Sequence, residues 1–364
     1  MKALVVEKDK LRKNIDIVKK RADHAMIFGV LKGNGYGLGL IELARILRDD
    51  GISRFAVTEP SDALRLRGAG FCDEEILIIR SAADEEDIKT IIEACATATV
   101  GSSEAAAALN GVAERDGIVI DVHIEIDTGM GRYGFLPGEM DKVLSVYKYM
   151  KNLNVTGIYT HFHSAFSNRA ATKAQQEALL KVVEAIRAAG FEPGIVHASN
   201  SSALFGSELS PLDAVRIGSA FTGRLPRKGN AGLQRVGYLS CPISEIRWLP
   251  KGHSVGYGAG FVTRRPTKIA IIPLGYNDGF LVEKTRDIYR LRDVIRYMLS
   301  DLKRLVSGGK FYVSIGGRRA RVLGHVGLNN TIVDVTNIPC AVGDEAVFDC
   351  SPLYVGAHIE RRYV

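Results

Sequence analysis

Up to about residue 220, the chain alternates short apolar, β-branched runs with longer stretches whose apolar positions recur every three or four residues. Eight runs read as strands: AMIFGVLK, RFAVTE, EEILIIRS, TATVGS, DVHIEID, TGIYTHF, GIVHAS and AVRIGS. Between them lie segments such as IELARILRDDG, SDALRLRGAG and TKAQQEALLKVVEAIRAAG, which have helical period and a closing glycine. Eight strands, each followed by a helical or connecting segment, predict an α/β fold, a (β/α)8 TIM-like barrel over residues 1–224. A doubly wound open sheet is the alternative. The count of eight and the lack of a GxGxxG turn favour the barrel.

From about residue 225 the pattern changes. YLSCPISEIRWL, TKIAIIPLGY, KFYVSIGG, RARVLGHV, NTIVDVT and GDEAVFDC have strand character and glycine-rich joints, which predicts a separate, mostly β domain over 225–364. One segment departs from it. Ile288, Leu291, Ile295, Met298, Leu302 and Leu305 recur at steps of three and four and stop at Ser307-Gly308-Gly309, so a helix is expected over 284–306. It is expected to pack on its own domain, the alternative being a subunit contact or the entrance to a site.

Composition narrows the class without naming it. Apolar content of 46% and charged content of 24% are those of an ordinary soluble protein. No apolar stretch approaches the roughly 20 residues of a membrane span, and the N-terminus MKALVVEKDKLRKN has no secretory apolar core. Cys72, Cys95, Cys241, Cys340 and Cys350 are odd in number and scattered, so a cytoplasmic location is expected. The formal charge of +7 fits nucleic acid, a phosphate- or carboxylate-binding site, or a solvated surface. The absence of any nucleic-acid motif argues against the first.

Candidate chemistry falls at the C-terminal ends of the predicted strands, where barrel enzymes build their sites. Lys32 closes the first strand in VLKGNGYGLG. Arg132 follows the fifth in EIDTGMGRYGF, and His161 closes the sixth in GIYTHFHS. Ser201 follows the seventh in HASNSSALF, and Arg216-Ile217-Gly218-Ser219 closes the eighth. Ser201 and the backbone near Gly218 and Ser219 occupy the usual phosphate position of such a barrel. A phosphate cradle beside an apolar-flanked lysine suits pyridoxal 5'-phosphate held as a Schiff base. The glycines after Lys32 allow a sharp turn, and Tyr36 offers a phenol to the phosphate. His161 and His163 would share a face on a strand, but no third ligand at metal spacing is apparent, so no metal is expected.

These motifs resemble those of the alanine racemase family, over nearly the whole chain. VLKGNGYGLG is similar to that family's KANAYGHG, and IDTGMGRYGF, YTHF, HASNSSA, VRIGSA, VGYGAG, IPLGYNDG and VDVT follow in the family's order. The resemblance implies a homodimeric enzyme that interconverts L- and D-alanine with pyridoxal 5'-phosphate and two catalytic bases, Lys32 and Tyr257, the latter supplied by the partner subunit. It implies that Tyr36, Ser201, Gly218 and Ser219 hold phosphate and that Arg216 faces the pyridine nitrogen. His161 would then lie between Arg216 and Tyr257, with His197 as a support. Arg132 and the backbone of Leu328 would bind the substrate carboxylate, and Tyr276 would narrow the entrance. Tyr354 is a further candidate for the phosphate. An arginine rather than a carboxylate at the pyridine nitrogen speaks against a decarboxylase. The β domain and Tyr257 speak against a non-catalytic pyridoxal-phosphate carrier.

Several residues depart from the family pattern. Glu125 stands where many members carbamylate a lysine, and is expected to orient Arg132 with a permanent carboxylate. Leu328-Asn329 replaces Met-Asp, Gly33, Gly35 and Leu38 differ from KANAYGHG, and the expected helix at 284–306 enlarges the second domain. These changes leave serine or another amino acid as the alternative substrate.

Overall fold

The computed structural model describes the chain except residues 207–208, 210, 226–230, 285–290 and 307–309, and of residues 304–306 it describes the backbone alone. The chain forms two compact units, Lys8–Val236 and Met1–Glu7 with Gly237–Val364. The first strand, β1 (Ala3–Val6), belongs to the second unit, and the helix α1 (Lys8–Ala22) opens the first.

The first unit is a closed parallel barrel of β2 (Met26–Val30), β3 (Arg54–Val57), β4 (Glu75–Ser81), β5 (Thr97–Val100), β6 (Ile120–Glu125), β7 (Leu153–Tyr159), β8 (Ile195–Asn200) and β9 (Ala214–Ile217). All eight expected strands are present. Between them run α2 (Lys32–Tyr36), α3 (Leu40–Asp49), α4 (Pro60–Gly68), α5 (Glu85–Glu93), α6 (Ser103–Asp116), α7 (Met140–Tyr149), α8 (Arg169–Ala188) and α9 (Ser201–Gly206). Strands covered by helices are buried on both faces, which is why β5 and β9 are buried at every residue. Phe28, Val30, Ala56, Leu77 and Ala214 form an apolar cluster inside the unit. The helices start where their caps are. Asp84, Ser102 and Asn168 accept backbone N–H bonds at the N-termini of α5, α6 and α8.

The barrel unit runs on to Val236, beyond the expected end at 224, because buried Asn14 of α1 hydrogen-bonds the backbone of Phe221 and Gln234. It also starts later than expected, since β1 pairs elsewhere. In the second unit β1 lies between β10 (Tyr238–Pro242), antiparallel to it, and the parallel β19 (Glu360–Tyr363). The other strands are β11 (Glu245–Leu249), β12 (Ser254–Val255), β13 (Phe261–Val262), β14 (Thr267–Ile272), β15 (Tyr312–Ile315), β16 (Arg318–Val322), β17 (Thr331–Asp334) and β18 (Glu345–Phe348). They form a nine-stranded sheet in the order β11-β14-β17-β16-β15-β18-β10-β1-β19, plus the hairpin β12-β13.

The expected inserted helix is α10 (Leu291–Val306). Ile288, the side chain of Leu305 and the stop signal Ser307-Gly308-Gly309 lie outside the described residues. Its packing corrects the expectation. Leu291, Ile295, Met298, Leu299 and Leu302 follow i, i+4, i+7, i+8, i+11 and are all exposed, while Val294 and Tyr297 are half-buried. The apolar stripe therefore does not pack on its own unit. Among the described residues, no helix is long and apolar enough to cross a membrane.

Candidate active site

The opening of the barrel is set by the local conformation after β2. Gly33, Asn34, Gly35 and Tyr36 all have positive φ (62°, 54°, 63° and 54°), a left-handed turn in which glycine is at home and tyrosine is strained. The Asn34 side chain makes the turn pay its way by accepting the backbone N–H of Leu40 at 3.0 Å, at the start of α3. The turn places Lys32 and Tyr36 side by side in a cavity of about 660 Å³. That cavity also gathers Arg132, His161, Ser201, Arg216, Gly218 and Ser219. Eight of the residues singled out in the sequence thus line one cavity of the barrel unit.

Each side chain there has a physical reason for its state. Burial, then the positive charges of Arg132 and Arg216, lower the pKa of Lys32, which favours its neutral amine. Burial pushes the Tyr36 phenol up to about 12, so it is a hydrogen-bond donor at neutral pH. The Ser201 hydroxyl accepts N–H bonds from Gly218 at 3.2 Å and Ala220 at 3.3 Å, which ties the loop after β8 to that after β9. Asp127 accepts N–H bonds from Gly129 and Gly131 (both 2.9 Å) and shapes the loop that carries Arg132.

Arg216 is buried in β9 and donates in several directions. Nη1 donates to His197 Nδ1 at 2.7 Å, and Nη2 to the Thr160 carbonyl at 2.7 Å and His161 Nδ1 at 3.3 Å. A guanidinium only donates, so His161 accepts at Nδ1 and carries its proton on Nε2. Burial, with Arg216, Arg132 and Lys32 adding to it, lowers His161 to about 3, so the ring is neutral. Glu125 is buried on β6, 4.0 Å from Arg132, and donated to by the Tyr159 hydroxyl at 3.2 Å. Burial outweighs the neighbouring arginines and raises its pKa to about 7.

The pairing of His161 with His163 is corrected. β7 ends at Tyr159, so the two histidines do not share a strand face, and His163 is exposed beside Ser164. Among the described residues, no group of three histidine, cysteine or acidic side chains is arranged for a metal ion.

The remaining candidates are in the second unit. Tyr257 begins a single 3-10 turn and is 79% exposed. Tyr276 and Leu328 are exposed, on adjoining loops joined by Tyr276 N–H to Gly327 O and Asn277 N–H to Leu328 O. Tyr354 is half-buried in another 3-10 turn.

The sequence reading missed two supports. Tyr159 packs under Arg216, with the guanidinium carbon 4.6 Å from its ring centre, and bonds both Thr99 and Glu125. Gln175 of α8 bridges Thr128 and the backbone of His161 and His163, and so links the arginine and histidine loops. The signal for Tyr159 was its place two residues before His161; Gln175 reads as an ordinary helix residue.

A (β/α)8 barrel with a lysine just after its first strand lining the cavity, followed by a β unit, is the frame of an isomerase, an amino-acid racemase. Residues 6–226 match the family described as alanine racemase, N-terminal domain, and residues 236–352 match alanine racemase, C-terminal domain. The chain belongs to the alanine racemase family. It is 32% identical over 340 residues to an alanine racemase of Methylacidiphilum infernorum, covering 93% of this chain and 80% of that one. It is 31% identical over 336 residues to one of Methanococcus maripaludis, covering 90% and 83%. A solved alanine racemase of Clostridium difficile 630 superposes with a TM-score of 0.82 at 25% identity, over 99% of this chain and 88% of that one.

Proposed function

We propose that this racemase interconverts L- and D-alanine with pyridoxal 5'-phosphate, and that Lys32 and Tyr257 act as bases on opposite sides of the substrate. The observation that carries the reading is the convergence of Lys32, Tyr36, Ser201, Arg216 and Arg132 on one cavity. The set suits this cofactor: an amine of lowered pKa to bond its aldehyde, hydroxyl and backbone groups for its phosphate, and an arginine for its ring. When bound, the cofactor supplies the electron sink that makes the α-proton of an amino acid removable.

The chain's own residues do the rest. Lys32 Nζ, its pKa lowered by burial, would hold the cofactor and afterwards take or return the α-proton on one side. The Tyr257 phenol would do the same on the other. Racemisation needs both, because the proton leaves one face and returns to the other. Tyr36, Ser201, Gly218 and Ser219 would hold the phosphate, with Tyr354 as a further donor. Arg216, which stays a cation and donates without surrendering its proton, would face the pyridine nitrogen and so keep the sink weak. His161 would pass its influence to Tyr257, and His197 would brace it. Arg132, oriented by Glu125, and the backbone of Leu328 would bind the substrate carboxylate. Tyr276 would narrow the entrance.

The exposure of Tyr257 in its own unit suits a head-to-tail homodimer in which each phenol serves the partner's barrel. The exposed stripe of α10 likewise suits burial in a subunit contact. Surface thiols at Cys72 and Cys95 suit a reducing cytoplasm, where D-alanine would supply cell-wall synthesis. The test is α-proton exchange in D2O, followed by NMR with the cofactor and either L-alanine or L-serine. Exchange with inversion for alanine, abolished by Lys32→Ala, is expected. Inversion of serine alone would reassign the substrate, and cofactor binding without exchange would overturn the reading.

A further inference from the structure

Beneath Arg216 a line of buried polar side chains crosses the barrel. His197, on β8, is sandwiched between Phe28 (5.4 Å, 21°) and Tyr159 (4.9 Å, 26°). Its Nε2 lies 2.9 Å from Nδ1 of His123 on β6, which is also fully buried. Nε2 of His123 has no hydrogen-bond partner among the described residues and faces Glu75 Oε1 at 3.8 Å. Glu75 opens β4 at the opposite end of the barrel, where its other oxygen accepts from Arg54 Nε at 2.9 Å. Gly157, opposite His123 in the β6–β7 register, leaves the room this needs, since a Cβ there would stand 2.6 Å from His123 Nε2.

The protons in this line have only one arrangement. Arg216 can only donate, so His197 accepts at Nδ1 and carries its proton on Nε2. That N–H can only be given to His123 Nδ1, so His123 too must carry its proton on Nε2, aimed at Glu75. Burial lowers the pKa of both rings, His123 to about 3, so neither takes a second proton that would reverse the direction. At 3.8 Å the His123 N–H lies outside hydrogen-bond distance of the Arg54-held Glu75 but within its field, an electrostatic environment a leucine would not use.

We propose that His123 and Glu75 are positioning residues for Arg216: with His197 they form a one-way line of hydrogen bonds, Arg216→His197→His123, whose last N–H faces the Glu75 carboxylate 3.8 Å away, and this line fixes both ring tautomers and holds the guanidinium in a single orientation. This rests on the reading that Arg216 faces the cofactor ring. The relay explains why a barrel core that could be filled with aliphatic side chains keeps two histidines in line. It also gives a carboxylate at the far rim a say in the donor strength of Arg216.

The test is 15N NMR of the histidine rings in the full-length protein, with and without pyridoxal 5'-phosphate. The chain has 8 histidines, and His123→Gln and His197→Gln assign the two signals. The expected spectrum shows both rings neutral with the proton on Nε2 from pH 6 to 9, and Glu75→Gln shifts the His123 Nε2 signal. His123→Leu, which leaves His197 Nε2–H without an acceptor, is expected to move the His197 signals, shift the visible absorption of bound cofactor, and lower kcat about tenfold with KM little changed. His123→Gln, whose side-chain carbonyl can accept that N–H, should recover most of the loss. An Nδ1–H tautomer or a protonated ring in the wild type overturns the relay whether or not His123→Leu folds. So does a His123→Leu protein with unchanged His197 signals and turnover. Failure of the wild type to bind cofactor or racemise would instead overturn the reading of the site, and the tautomers would still be judged on the cofactor-free spectrum.

Discussion

The barrel and the β unit carry their candidate residues in opposite ways. In the barrel, Arg216, Ser201 and Glu125 are buried and hydrogen-bonded, the first two line the cavity, and the charge states of Arg216 and Glu125 are set by neighbours within the same unit. In the β unit, Tyr257, Tyr276 and Leu328 are exposed at 79%, 51% and 50%. The barrel residues were built by the fold as a set. Those of the β unit are presented on 3-10 turns and loops, as residues meant for something other than their own core would be. Substitutions in the first group should therefore disturb both stability and chemistry, and those in the second chemistry alone.

The largest expected effect is at Lys32. Lys32→Ala should lower kcat by about 10⁴-fold or more and abolish the mass gain that borohydride reduction with pyridoxal 5'-phosphate gives the wild type. Tyr257→Phe should lower kcat by about 10²–10³-fold while moving the melting temperature by no more than about 2 °C, since the side chain is exposed. A large loss of thermal stability in that variant would break the comparison. Arg216→Leu should do both: it leaves the His197 and Thr160 acceptors unpaired in the core, and denaturant titration should show a loss of about 2–4 kcal/mol.

Glu125 gives a pH dependence of definite sign. Its folded pKa of about 7 stands above the ordinary 4.5, so the folded chain binds its proton more tightly than the unfolded one. Its contribution to stability is greatest below about pH 4.5 and is lost as the pH rises towards 7 and beyond. Glu125→Gln should flatten that part of the stability profile in denaturant titrations. If the ionised carboxylate orients Arg132, KM for alanine should also rise as the pH falls below about 7 in the wild type, and Glu125→Gln should remove that dependence. The smallest effect is expected on α10. Leu299→Ala should change the unfolding free energy of the monomeric chain by no more than about 0.5 kcal/mol, against about 3–5 kcal/mol for Phe28→Ala in the barrel core.

The contrast also explains what could be read in the sequence. The eight barrel strands were legible because they are short, β-branched and punctuated by glycine. The strand ends were legible because a lysine, a histidine and two arginines break apolar runs there. β1 and β19 were not, since their partners in the sheet are far apart in the chain and no local period encodes that pairing. The His123–His197 line was hidden for a similar reason. Each histidine sits singly in an otherwise ordinary buried strand, and only the barrel's closure brings β6, β8 and β9 into register around them. The period of α10 revealed the helix but not which way its apolar stripe turns, because periodicity gives a face and not its partner.

The most direct test of this division is complementation between two inactive variants, Lys32→Ala and Tyr257→Phe, mixed and allowed to exchange subunits. If each site joins the lysine of one barrel to an exposed phenol of the partner, mixed dimers contain one intact site in two, and activity should return to about one quarter of the wild-type level at full exchange. If each chain completes its own site, the mixture will stay as inactive as its components, and the shared-site account is contradicted.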